Sequence, residues 1–203
     1  MQGQAWWLTD AAQSQRNYPY TFYKPSRATT ARLGIGDLVK LIFEFDNPNP
    51  EGWSAERMWV IITERNGDVF NGVLDNEPAQ LTGLAPGDPV AFEERHIIQT
   101  SLEDAEPAMA RKYRPRCFVT RRVLYDGVKA ARVYREEAEQ DDDSGWRILA
   151  GDEDEAYMDD VDNIFYVSLG AVLNHDDAFV HLLDAAVGSN FERNHETGEF
   201  EAQ

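Results

Sequence analysis

The sequence predicts an α+β fold of two small strand-rich modules: an N-terminal antiparallel β-rich module open to barrel-like closure, and a C-terminal module of mixed strands and short helices. Three features predict it. From Gly36 onward, β-branched and aromatic runs recur between Gly, Asp, Asn and Pro residues, the pattern of strands joined by turns. Asn66-Gly67-Asp68 lies between two such runs, and Asn and Gly tolerate the positive φ of a tight hairpin turn. The charged segment Thr100 to Arg116, with Pro107 and Pro115, then interrupts the apolar pattern, which predicts domains over 1–105 and 116–203.

The first thirty residues are aromatic and polar without steady periodicity, and Pro19 and Pro25 disfavour a helix there, so an extended lead-in is expected. Four strands follow in GDLVKLIFEF, ERMWVIITER, GDVFNGVLD and GDPVAFEERHII. The repeated Gly-Asp at Gly36-Asp37 and Gly87-Asp88 reads as a pair of ordinary turns. In the second half, CFVTRRVLYDGVKAARVYREE predicts two strands around a Tyr125-Asp126-Gly127 turn. An acidic loop, EAEQDDDSG, leads into the strand GWRILAG. Next come a short helix over Glu153 to Met158, a strand-like NIFYVSLGAVL, and a helical DDAFVHLLDA capped by Asp176 or Asp177. The last ten residues are polar and are expected to fray.

With 203 residues, 42% hydrophobic, the chain can bury a core that offsets its conformational entropy. No apolar stretch approaches the roughly 20 residues of a membrane span, and MQGQAWWLTD lacks the features of a secretory signal, so the expected location is the cytoplasm with no membrane partner. The single cysteine, Cys117, lies in an apolar alternating run and reads as a buried structural thiol. A formal net charge of −18 opposes nucleic-acid binding, which needs clustered cations to displace counterions. Such a charge keeps a protein soluble, or steers a basic protein partner toward it.

No catalytic pattern is present. Leu33-Gly34-Ile35-Gly36 lacks the third glycine of a dinucleotide loop and precedes a strand instead of following one. His175 and His181 lack zinc spacing. Neither acidic run has the glycine of a calcium loop at its sixth position, so no cofactor or metal is expected. What stands out is the mixture of Trp146, Tyr157 and Met158 with carboxylates, since aromatic anchors beside acidic groups suit an interface with a basic partner.

Ser144-Gly145-Trp146, Gly151-Asp152-Glu153-Asp154, Asp162-Asn163 and Gly188-Ser189-x-Phe191-Glu192-Arg193 closely resemble immunity family thirty-three, formerly a domain of unknown function and assigned to bacterial polymorphic toxin systems. The resemblance runs from about Arg116 to Asn194, with one departure: Val161 stands where the family pattern commonly has proline. The first half resembles a second bacterial domain of unknown function, a small β-rich one. The match runs through Tyr20-Thr21-Phe22, Pro25-Ser26-Arg27, Gly36 to Phe43, Glu56 to Val60, Val73 to Asn76, Gly87-Asp88 and His96-Ile97-Ile98.

The resemblance implies a non-enzymatic immunity protein that neutralises a cognate toxin by stoichiometric binding, the toxin being basic. On this reading Trp146, Asp152, Glu153, Asp154, Glu155, Tyr157, Asp159, Asp160 and Asp162 form the partner-binding surface. Two rivals stand beside it: a metal-dependent enzyme or regulator in which Asp152, Asp154 and Asp160 hold an ion, and a general housekeeping binding module.

Overall fold

The computed structural model describes residues 6–46, 52–105 and 107–203, and the chain divides into two compact units, Met1–Ala105 and Glu106–Gln203. Among the described residues, no helix is long and apolar enough to cross a membrane.

The first unit opens with strand β1 (Trp6–Leu8), helix α1 (Ala11–Asn17) and helix α2 (Arg27–Ala31). The extended lead-in expected here is corrected by both helices, while residues 1–5 lie outside the described residues. The prolines flank the helices instead of interrupting them. Pro19 follows α1 and Pro25 precedes Ser26, the N-cap of α2, where a missing N–H costs no helical bond. Asp10 caps α1 by accepting from Gln13 N at 3.0 Å, and Ser26 Oγ accepts from Thr29 N at 3.1 Å.

Four antiparallel strands follow as expected: β2 (Leu38–Phe45), β3 (Ala55–Asn66), β4 (Val69–Leu74) and β5 (Pro89–Glu93). Every second residue is buried along β2, giving Val39, Leu41, Phe43 and Phe45 to a core shared with Met58, Val60, Ile62, Phe70 and Phe92. The β3–β4 link is the expected hairpin, with Gly67 at φ +64°. A 3-10 turn, Glu94–His96, carries the chain to β6 (Gln99–Thr100), which pairs with β2, the strand next to β1. The sheet, in the order β1-β2-β3-β4-β5 with β6 returning to β2, nearly closes into a barrel.

The second unit contains helix α3 (Ala108–Lys112), β7 (Arg116–Thr120), helix α4 (Arg121–Leu124), β8 (Arg132–Arg135) and β9 (Asp143–Leu149). It continues through α5 (Glu155–Met158), β10 (Ile164–Ser168), α6 (Leu169–Leu173), β11 (Asn190–Arg193) and β12 (Phe200–Ala202). Its mixed sheet runs β10-β7-β9-β8-β11-β12, with β7 and β9 parallel and the other neighbours antiparallel. Cys117, Val119, Val133, Trp146 and Ile148 bury one face of the sheet, and α4 and α6 pack against β7, β9 and β10.

Four details differ from the sequence expectation. The run CFVTRRVL is strand only to Thr120, after which α4 intervenes; β8 then pairs with β9, so Tyr125-Asp126-Gly127 turns the chain without making a β7–β8 hairpin. The parallel β7–β9 pair requires such a crossover. NIFYVSLGAVL divides at Ser168, whose Oγ accepts from Ala171 N at 3.3 Å and starts α6. DDAFVHLLDA forms only a 3-10 turn, Val180–Leu182, because Asp176 points inward to Arg193 and Ala130 N instead of capping a helix. The C-terminal residues do not fray, since β12 pairs with β11.

Candidate functional site

Two acidic runs flank β9, and the fold uses them differently. In the run that precedes it, Asp143 turns inward to Arg147, and exposed Glu139 and the neighbouring Glu136 close on the same guanidinium from the surface. The guanidinium donates to both oxygens of buried Asp143, at 3.2 and 3.1 Å, and to Glu139 Oε1 at 2.9 Å, while its Nε lies 3.2 Å from Glu136 Oε2. It also covers the Phe118 ring at 4.7 Å. Burial pushes the Asp143 pKa up, but the Arg147 guanidinium and the N–H groups of Glu139 and Gly145 outweigh it and hold the carboxyl below its ordinary value. Asp142 accepts from Tyr166 Oη at 2.7 Å. Within the EAEQDDD run Asp143 is thus a buried clamp on the sheet, joined from the surface by Glu139, while the rest of the run is exposed.

The second run, Asp152 to Asp162, divides into structural and exposed carboxylates. Glu153 Oε1 accepts from Ala150 N at 2.7 Å and from Thr120 Oγ1 at 2.6 Å, and Oε2 accepts from Gly151 N at 2.7 Å. Burial opposes the charged form, yet these bonds lower its pKa. Asp154 caps α5 by accepting from Tyr157 N at 2.8 Å, and Asp160 caps the 3-10 turn Val161–Asn163 by accepting from Asp162 N at 3.1 Å. Asp152 pairs with Arg122 at 3.0 Å. Glu155, Asp159 and Asp162 are exposed. Tyr157 is half-buried, and its hydroxyl is buried without a hydrogen-bond partner among the described residues.

Trp146, expected as an exposed anchor, is a core residue and is corrected as such: it is 1% exposed, donates from Nε1 to Leu183 O at 3.4 Å and stacks on Phe191 at 6.4 Å. Alternation along β9 turns its side chain inward and the next one, Arg147, to the opposite face. The three carboxylates of the metal rival have separate partners, and no cluster able to hold a metal ion occurs among the described residues. Cys117 is buried, and burial pushes its thiol up to about 12, which leaves no thiolate for chemistry at neutral pH. His96 Nδ1 accepts from Glu93 N at 3.0 Å in a turn, and burial lowers its pKa.

The motif residues hold the scaffold. Gly145 has φ +80°, and a Cβ there would lie 2.2 Å from Glu136 O, so glycine is required. Ser144 Oγ donates to Arg116 O at 2.6 Å. Asn163 Nδ2 donates to Tyr157 O at 3.0 Å, and Arg193 Nε to Ala130 O at 2.7 Å. Val161 opens a 3-10 turn, the position where proline is also tolerated, so the departure from the family pattern leaves the turn intact. Sequence reasoning missed Arg122, Asp143, Arg147 and Tyr166. The spacing of Asp143 and Arg147 on one strand face was the available signal for two of them.

No curated protein and no solved structure matches the chain. Residues 7–105 match the family described as Uncharacterized protein conserved in bacteria (DUF2314), which carries a boundary and no activity. Residues 117–203 match the Immunity protein Imm33 domain, the family that the motifs at Ser144-Gly145-Trp146, Gly151 to Asp154 and Gly188 to Arg193 resemble.

Proposed function

We propose that this chain is an immunity protein: a cytoplasmic, non-enzymatic binding module that neutralises a cognate bacterial toxin by stoichiometric occlusion. The match of residues 117–203 to the Immunity protein Imm33 domain carries the reading. The net charge of −18 supports a basic toxin as partner, because long-range attraction raises the rate of encounter. In the binding surface we place the exposed carboxylates Asp152, Asp154, Glu155, Asp159, Asp160 and Asp162, with half-buried Tyr157 beside them; Glu153 anchors the start of the loop through Ala150 N and Gly151 N, and Trp146 belongs to the core beneath the sheet.

The test is direct. The purified chain is mixed with the toxin domain encoded beside its gene, and the mixture is analysed by light scattering and by growth of toxin-expressing cells. A complex of fixed stoichiometry, together with restored growth, is the expected result; a toxin that kills unhindered and elutes separately refutes the assignment.

A further inference from the structure

We propose that β10 is a docking edge that takes an extended, basic segment of the toxin as an added strand, a proposal that rests on the immunity reading above. β10 ends the sheet of the second unit and pairs only with β7 among the described residues. Leu169 N donates to Pro115 O at 2.9 Å, which fixes the phase of the ladder: Val167 and Phe165 bond toward β7. The N–H and C=O of Tyr166, the C=O of Ile164 and the N–H of Ser168 therefore point to the free side. The Ile164 N–H is already taken by Val161 O.

Edge strands are normally blunted by charge, proline, a bulge or brevity. The other terminal strand, β12, is three residues long with Glu201 at its centre. β10 has none of these protections: its five residues, Ile164-Phe165-Tyr166-Val167-Ser168, are uncharged and pair with β7 without a register shift. Apolar surface flanks the edge. Val161, 81% exposed, lies three residues before it, and Tyr125, 62% exposed, meets Phe165 edge-on at 4.9 Å.

Charge identifies the occupant. The approach to β10 carries the exposed carboxylates of Glu155, Asp159, Asp160 and Asp162. A second copy of the chain, itself of net charge −18, would bring its own carboxylates against those beside the edge, whereas a strand rich in Lys or Arg meets an opposite field. Strand addition supplies affinity through main-chain bonds, and the flanking charges select the sequence.

Hydrogen exchange resolved by amide, on the full chain alone and with the purified toxin domain encoded beside its gene, tests this. The Tyr166 and Ser168 amides should exchange fast in the free chain and slow by about tenfold or more in the complex, while Val167 and Val119, already bonded, change little. Tyr166→Pro removes an outward N–H without removing a bond to β7, and should weaken binding about tenfold, whereas Tyr166→Phe keeps the N–H and binds normally. If the proline variant fails to fold, the exchange data on the unmodified chain decide alone. A complex that leaves Tyr166 and Ser168 unprotected overturns the docking edge and spares the immunity reading. Absence of any complex overturns both. Protection that grows with protein concentration in the absence of toxin assigns the edge to a second copy and overturns the basic occupant.

Discussion

Glu153 sits in a run of charge that the sequence reading places on a partner-binding surface, yet its carboxylate accepts from two backbone N–H groups and the Thr120 hydroxyl. Removing that charge leaves buried donors poorly paired, so Glu153→Gln should lower stability by about 1–3 kcal/mol, measured by denaturant melting. Asp143 belongs to the same class through Arg147. Both carboxyls have folded-state pKa values below their ordinary ones, so their stabilisation is present above the unfolded values near pH 4 and is lost as pH falls through the folded ones. Midpoints of unfolding followed from pH 7 to pH 2 should fall steeply below about pH 4, and less steeply in Glu153→Gln; equal slopes would remove Glu153 from the account. Trp146 fills the core at 1% exposure, and its truncation to Ala should cost about 3–5 kcal/mol through lost burial and a cavity. A Trp146→Ala variant that melts normally but loses the toxin would return the ring to the interface.

At the scale of elements, the sequence was most legible where one local period ruled a whole segment. β2 to β5 have alternating or β-branched runs, and the Asn66-Gly67 turn admits a hairpin, so these four strands followed directly, whereas α1 and α2 did not. Legibility failed where a single polar side chain ended a run: Ser168 converted the end of an apolar strand into α6, and Asp176 turned inward to Arg193 in place of capping a helix. The acidic loop was found from composition alone, but composition cannot separate Glu153, Asp154 and Asp160, which bond to backbone, from Glu155, Asp159 and Asp162, which do not. That division sharpens the mutational test. Replacing Glu155, Asp159 and Asp162 together by their amides should leave melting within about 0.5 kcal/mol, because exposed charges whose side chains make no capping bond contribute little, and the favourable helix-start positions of Glu155 and Asp162 are offset by the unfavourable C-cap position of Asp159. In surface-plasmon kinetics the same variant should associate with the toxin more slowly and with a shallower salt dependence. Unchanged association at low salt would move the interface away from this loop.

For the whole molecule, the two compact units Met1–Ala105 and Glu106–Gln203 each have their own sheet and buried core, and the family matches fall one in each. A domain of roughly 100 residues with a complete core is large enough to fold alone, and boundaries fall where few main-chain bonds cross. Fragments 1–105 and 106–203, expressed separately, should therefore each unfold cooperatively in calorimetry. Fragment 106–203 contains the clamp around Arg147, the exposed carboxylates and the β10 edge, so it should bind the toxin within about threefold of the affinity of the full chain. Two outcomes would count against this division. A fragment without a cooperative transition would show that the units stabilise each other across the boundary. A folded fragment 106–203 with tenfold or weaker binding, set against full-chain affinity, would assign part of the recognition surface to the first unit.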